Sequence, residues 1–555
     1  MAVGKRGLTF GTERSKIEKT RRGLRLKGRM HMAWFEEAVF YHIYPLGLTG
    51  APHENPYGEP VHRLRSLEPW IGHIKSLGCT ALYIGPLFES VGHGYETTDY
   101  RRLDSRLGTN EDLAAFVRQC HEAGLRVILD AVFNHTGRDF FAFRDLRENR
   151  ERSRYRDWYC DVNFAGNNEF GDGFSYTNWG GYDLLAKLNL RNPEVRDYLL
   201  DTVRFWREAF DIDGLRLDAA DVLDFDFMRA LRHAAREVKE DFYLMGEVIH
   251  GDYQRWANAE TLNAVTNYHL HKALYSAHND HNYFEIAHTV RRQQDMGLTR
   301  GARLYNFADN HDVERIASRL REPAHYRPLH VLLYTLPGVP SVYYGSEFGI
   351  QGRKERWSDA PLRPYLNLAE LTAGDNPCLS LIRALGRIRG GEKALSYGDY
   401  RELLLTNTQY AFARGDVLVT VNNGGAEASF DLPASSAYRG ALSGERALEW
   451  GGRIHLRIPG NGGEIWIPEG ERSAAYEPVQ AEWKPEAPTP EEQAEHRGQP
   501  RRAEGKPYEE MDIEELQGEI LAKLAANGPV TDRMKREVLE NVYKNSLLNW
   551  VRSFR

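Results

Sequence analysis

No stretch of this 555-residue chain stays apolar for the roughly twenty residues that a membrane-spanning helix needs, so it offers no candidate span. Cysteine is scarce. Cys79, Cys120, Cys160 and Cys378 are scattered without metal-binding spacing, which argues against both a thiolate metal centre and a disulfide-dense scaffold. Three of them sit in apolar or aromatic company and read as buried thiols, and a reducing, cytoplasmic setting is expected. An excess of one charge is also missing. A net charge of −7 gives no electrostatic reason to expect a nucleic-acid or membrane partner. The first thirty or so residues are basic (Lys5, Arg6, Lys16, Arg21, Arg22) but have no apolar core, so they are not a secretory signal. Hydrophobic (41%) and charged (27%) contents are those of a globular protein. Aromatics are abundant, with 29 Tyr and 11 Trp, which suits either a surface that stacks on sugar rings or simply a large core.

After an unpatterned segment over 1–33, short apolar runs alternate with amphipathic stretches across 34–394. Strand candidates are Ala38–Leu46, Cys79–Leu87, Leu125–Phe133, 213–218, Phe242–Glu247, Ala264–Tyr268, Arg303–Ala308 and Val339–Tyr344. Helical patterns fall between most of them, one being 110–123 with Asn110 as its cap. Alternating βα units imply a parallel sheet, and eight of them fit an α/β fold of the (β/α)8 TIM-barrel type. An open doubly wound sheet would want a Gly-rich first turn, which is absent. The interval 136–192 is too long for a loop and reads as an inserted subdomain after the third strand. From 395 to 468 short strands separated by Gly and Asn turns predict an antiparallel β-sandwich. Residues 469–509, rich in Pro, Glu and Arg, read as a disordered linker. Over 510–555 two amphipathic faces, Ile513-Leu516-Ile520-Leu524 and Met534-Val538-Val542-Tyr543, predict a helical hairpin tail that docks on its own chain or supports homo-oligomers.

In Asp213-Gly-Leu-Arg-Leu-Asp218, strand alternation puts Leu215 and Leu217 on one face and Arg216 and Asp218 on the other. Such a pair is either a structural ion pair or a working site in which Arg216 keeps Asp218 ionised. The other strand ends decide. The third ends at Asn134-His135, the fifth at Glu247, and the seventh is followed by His311-Asp312. In a barrel these ends share one rim, where clustered carboxylates would repel and raise each other's pKa unless they had a task. Three carboxylates with His and Arg, and no metal-binding set, suit glycosidic-bond chemistry: one ionised nucleophile and one carboxyl kept protonated. Asp218 fits the first role. Glu247, on the apolar strand after Leu244-Met-Gly, fits the second.

Asp130-Ala-Val-Phe-Asn-His135, Gly214-Leu-Arg-Leu-Asp218, Gly246-Glu247 and Phe307-Ala-Asp-Asn-His-Asp312 resemble the four ordered motifs of the α-amylase family, glycoside hydrolase family 13. The resemblance covers about residues 34–468 and implies a retaining α-glucoside hydrolase. It further implies Asp218 as nucleophile, Glu247 as acid/base and Asp312 as the third carboxylate, with Arg216, His135 and His311 around the cleaved sugar. His93-Gly-Tyr95 resembles the segment whose Tyr stacks on that sugar. Asp359 and Arg363 fall where relatives hold a more distant one. Leu185-Ala-Lys-Leu-Asn189 is similar to a segment of the neopullulanase, maltogenic amylase and cyclomaltodextrinase group, whereas Val248-Ile249-His250 departs from that group's Ile-Trp-His. The implied substrates are maltodextrins, cyclodextrins or starch-derived oligosaccharides with α-1,4 or α-1,6 linkages. No cofactor is required on this reading. Calcium is a candidate ion, because Asn134 matches a ligand position of many relatives. A transglycosylase or glucan isomerase would use the same carboxylates. A non-catalytic scaffold, which would lack them, is disfavoured.

Overall fold

The computed structural model describes residues 33–294, 302–356, 358–470 and, beyond them, 508, 511, 513–527 and 538. The chain divides into two compact units, 1–479 and 480–555. The first contains eight parallel strands: Phe40–Ile43 (β1), Ala81–Ile84 (β2), Arg126–Ala131 (β3), Gly214–Leu217 (β4), Tyr243–Gly246 (β5), Ala264–Val265 (β6), Tyr305–Phe307 (β7) and Val339–Tyr343 (β8). They are hydrogen-bonded in the order β6-β5-β4-β3-β2-β1-β8-β7, and a parallel bridge from Thr266 to Tyr305 closes the ring. All eight expected strands are present, within the expected ranges. They are shorter than the apolar runs because each run continues into the turn at its end.

The two faces of these strands fill two cores. Phe40, Tyr83, Ile128, Tyr243, Met245, Tyr305 and Phe307 pack inside the barrel. Their strand neighbours Tyr41, Leu82, Val127, Leu129, Leu215, Leu217 and Leu244 pack outward against the helices. The main helices are Glu68–Ser76 (α1), Asn110–Glu122 (α2), Pro193–Phe210 (α3), Phe225–Val238 (α4), Tyr268–Asn279 (α5), Phe284–Gln294 (α6), Tyr326–Thr335 (α7) and Pro377–Gly391 (α8). Between β5 and β6 there is a single 3-10 turn, Tyr253–Arg255, in place of a helix.

One cap differs from expectation. Thr109, not Asn110, caps α2 through a capping box with Asp112. Asn110 instead ties the preceding strand, accepting from the Leu103 N–H at 2.8 Å and donating to the Arg101 carbonyl at 2.9 Å.

Two additions to the barrel build its upper rim. After β2, Phe88–Ser90 and Thr97–Leu103 form an antiparallel hairpin whose bend carries His93-Gly94-Tyr95. Gly94 has φ +99°, and a Cβ there would lie 2.2 Å from Pro86 Cγ, so only glycine makes this bend. After β3, an insertion contains a helix (Phe141–Asn149) and a three-stranded sheet formed by 135–136, 178–179 and 182–187. Following the barrel come a six-stranded and a three-stranded antiparallel sheet, which form the expected sandwich. It includes three short strands that the sequence pattern did not reveal: Tyr438–Gly440, Arg446–Ala447 and Glu449–Trp450.

In the second unit the helix Ile513–Asn527 buries Leu516 and Ile520, alongside Met511 and Val538. The basic segment, the linker and the rest of the expected second tail helix lie outside the described residues. Among those described, no helix is long and apolar enough to cross a membrane.

Candidate active site

Each site residue follows from a strand end. Arg216 lies on β4 with its side chain inside the barrel, 3% exposed. The next residue but one, Asp218, continues the ladder by donating its N–H to the Ala131 carbonyl at 3.1 Å. Glu247 does the same beyond β5, donating to the Leu217 carbonyl at 2.9 Å. Its predecessor must be small. A Cβ on Gly246 would come within 2.5 Å of Leu262 and 2.8 Å of Ala220. Asp312 sits in the turn after β7, where Asn310 Oδ1 accepts its N–H at 2.8 Å.

One guanidinium connects three carboxylates. Arg216 Nη1 donates to Asp130 at 2.9 Å and to Asp218 at 2.9 Å, while Nη2 donates to Glu247 at 2.9 Å. Arg216 thus holds Asp218, as expected, and two further carboxylates with it. Asp130, which sequence reasoning left without a role, also accepts hydrogen bonds from the Tyr83 and Tyr95 hydroxyls at 2.9 and 3.0 Å. Burial pushes the Asp218 carboxyl well above the usual carboxylate range. Arg216 opposes this, and Glu247 and Asp130 add to it. Glu247 accepts three hydrogen bonds, from Arg216, from the Ala219 N–H at 3.1 Å and from the Tyr268 hydroxyl at 3.3 Å. Arg216 thus contacts both Asp218, the expected nucleophile, and Glu247, the expected proton donor.

Asp312 behaves oppositely. Burial alone would raise its carboxyl, but His311, Arg363 and Arg216 outweigh burial and hold it well below the usual range. Arg363 Nη2 donates to Asp312 at 2.9 Å and to Asp359 at 3.3 Å, and its Nε donates to the His311 carbonyl at 3.0 Å. His311 Nε2 lies 3.0 Å from Asp312 and also contacts the Tyr95 hydroxyl.

A cavity of about 260 Å³ opens on this rim. Of the residues expected at the site, Asp218, Glu247, Asp312, His93, Tyr95, His135, Asp359 and Arg363 line it. Arg216, His311 and Asn134 do not. They lie beneath the surface, Arg216 and His311 touching the carboxylates from behind. Burial lowers the His135 imidazole to about 3, so it is neutral. Its ring lies parallel to Trp179, with centroids 6.5 Å apart.

Five lining residues escaped sequence reasoning as site residues: Trp179, Leu185, Ala219, Asp221 and Ile249. Trp179 and Leu185 arrive from the insertion, whose fold no local pattern announces. Asp221 had a signal, being a carboxylate three residues after Asp218. Burial and the nearby Glu247 raise it to about 6.

The residues around Asn134 were tested as a calcium site. Asn134 Oδ1 is buried without a hydrogen-bond partner, and Nδ2 contacts His135 Nδ1 at 3.2 Å. Among the described residues, however, no three His, Cys, Asp or Glu side chains converge as a metal-binding group.

The model for the α-amylase catalytic domain matches residues 67–367. A cyclomaltodextrinase from a Bacillus species is 31% identical over 421 residues, 70% of this chain and 73% of that protein. Neopullulanase 2 from Thermoactinomyces vulgaris is 30% identical over 477 residues, 78% of each. A solved cyclomaltodextrinase structure superposes with a TM-score of 0.71 at 28% identity, covering 78% of this chain and 79% of its own. Three carboxylates on the rim of a closed parallel barrel, together with these matches, make the chain a glycoside hydrolase that belongs to the α-amylase family.

Proposed function

We propose that this enzyme hydrolyses α-1,4 bonds, and also α-1,6 bonds, of maltodextrins and cyclodextrins, with retention of anomeric configuration. The observation that carries the reading is the joining of Asp218 and Glu247 by the single Arg216 guanidinium at the floor of a cavity that also holds Asp312. The sugar binds with its anomeric carbon at Asp218 and its glycosidic oxygen at Glu247. An Asp218 oxygen then attacks the anomeric carbon while Glu247 gives its proton to the glycosidic oxygen, whose bond to carbon breaks. Water next attacks the glycosyl-enzyme ester, Glu247 takes the water's proton, and Asp218 is released. Asp312, held ionised by His311 and Arg363, accepts hydrogen bonds from sugar hydroxyls as positive charge grows on the ring. No step is assigned to a metal. Incubation with maltotriose, cyclodextrin and pullulan should yield smaller saccharides that appear first as α-anomers. β-Anomers would remove Asp218 from the nucleophile's role.

A second reading has a specific basis. Trp179, Leu185 and Ile249 give part of the cavity an apolar wall, against which an acceptor sugar could pack and compete with water. Products longer than the substrate at high saccharide concentration would mark such transfer.

Asp221 tunes the pair. Its carboxyl is raised to about 6 by burial and the nearby Glu247, so Asp221→Asn should remove an ionisation near that pH from the kcat/KM profile. An unmoved profile would remove Asp221 from the electrostatics of the site.

We further place the enzyme inside the cell, since its four cysteines are free thiols. Homo-oligomer formation through the tail is also proposed, on the amphipathic pattern of its sequence. Deleting 505–555 should then lower the mass measured by light scattering. An unchanged mass would refute it.

A further inference from the structure

On the far side of the barrel, α4 carries Arg229, Arg232 and Arg236 three and four residues apart, so the three side chains share one helix face. The helix runs antiparallel to the strands. Its last turn therefore lies at the rim where β5 and β6 begin, opposite the catalytic rim. These arginines, with His233, Glu237 and Glu260, line a cavity of about 470 Å³.

Their hydrogen bonding is unusual. Arg232 Nη1 donates to Asn263 Oδ1, which also accepts the Leu244 N–H at 2.9 Å and is thereby fixed. Arg236 Nη2 donates to the Ala259 carbonyl at 3.2 Å. Both guanidiniums are thus positioned by neutral oxygens. Among the described residues neither has a carboxylate within ion-pairing distance, whereas Arg229 pairs with Asp226 at 2.6 Å. Glu237 is engaged elsewhere, by His233 at 3.4 Å and Arg204 at 3.7 Å. Arg232 Nε is shut away from solvent without an acceptor. Burial, with Arg236 adding to it, lowers the Arg232 guanidinium to about 10. Among the described residues this half-buried cation, with an unmet N–H and a like charge beside it, is met only by a neutral acceptor.

We propose that the Arg232–Arg236 pair binds a phosphate group, either free or carried on a sugar. Arginine guanidiniums bind phosphate oxygens through bidentate hydrogen bonds, and two of them on one cavity supply the charge that a dianion needs. Glu237 and Glu260 on the same cavity oppose any anion, so binding rests on Arg232 and Arg236 outweighing them. The volume leaves room for a sugar ring beyond the phosphate.

The test is thermal unfolding of the full-length enzyme in inorganic phosphate, in glucose 1-phosphate, and in sodium chloride of equal ionic strength. Phosphate should raise the melting midpoint in proportion to the logarithm of its concentration once that exceeds Kd, while chloride should not. A rise at lower concentration with glucose 1-phosphate identifies a sugar phosphate as the ligand, and equal midpoints identify free phosphate. Arg232→Gln with Arg236→Gln should abolish the rise and leave α-glucan hydrolysis unchanged in phosphate-free buffer. Arg236→Gln alone, at an exposed position that folding tolerates, should weaken binding severalfold by calorimetric titration with phosphate. Equal midpoints in phosphate and chloride, or a rise that survives in these variants, would overturn the site.

Discussion

Asp218→Asn is expected to lower turnover of α-glucans by about 10⁴-fold or more while leaving the melting midpoint near or above that of the parent. The amide keeps the shape of the carboxyl and one acceptor for Arg216 Nη1, but it cannot form the ester with the sugar. Stability should not suffer, because burial and two neighbouring carboxylates already oppose the charge of Asp218. Removing a group whose folded pKa is raised relieves a penalty that is absent below the ordinary carboxylate range and grows as pH rises through the folded value. The asparagine variant should therefore gain stability relative to the parent at pH 8 more than at pH 4. Glu247→Gln offers the kinetic contrast. Loss of proton donation costs about 10²- to 10⁴-fold with a poor leaving group. Much of that loss should vanish with an aryl α-glucoside, whose leaving group needs no proton. The Asp218 variant should show no such recovery. If both variants respond alike to the leaving group, the two roles are not separate.

How far the sequence alone reaches can be judged on the same residues. The eight strands were legible because each is an apolar run at the barrel wall, where both faces are buried and the signal is local. The carboxylate trio was legible because a barrel's topology brings strand ends to one rim, whatever separates them in sequence. The full set of donors to Glu247 was not. Sequence reasoning compared Asp218 beside an arginine with Glu247 on an apolar strand, one neighbour at a time. Arg216 instead divides itself among three carboxylates, and two of Glu247's three donors come from elsewhere: the Ala219 N–H and the Tyr268 hydroxyl. Both depend on the fold of turns and on register across strands. Trp179 and Leu185 were missed as cavity walls for a related reason. They reach the rim from the insertion, whose local hairpin is placed by the pairing of His135 and Thr136 with Lys187 and Ala186, far along the chain. The cap of α2 shows the limit at short range, since Thr109 and Asn110 are both good caps and only the hydrogen bonds of Asp112 and Leu103 choose between them.

Arg216→Leu should be the most destabilising change at the catalytic centre. The substitution leaves Asp130, Asp218 and Glu247 without the cation that all three contact at 2.9 Å. Breaking a buried pair from one side costs about 3–5 kcal/mol, a large part of the roughly 5–15 kcal/mol that holds a domain together. The pH dependence follows from the sign of the shifts. Without Arg216 the folded pKa of Asp218, already raised, climbs further. The missing stability is then present below the ordinary carboxylate range and is lost as pH rises through the folded value. The urea midpoint of Arg216→Leu should therefore approach that of the parent at pH 4–5 and fall well below it at pH 8. A gap between the two that is independent of pH would show that Arg216 contributes packing rather than charge. Arg216→Lys separates charge from geometry. An ammonium restores a cation, but it cannot place two nitrogens between Asp218 and Glu247. It should recover part of the stability at pH 8 and little of the activity, because Asp218 and Glu247 are then no longer both held by one fork.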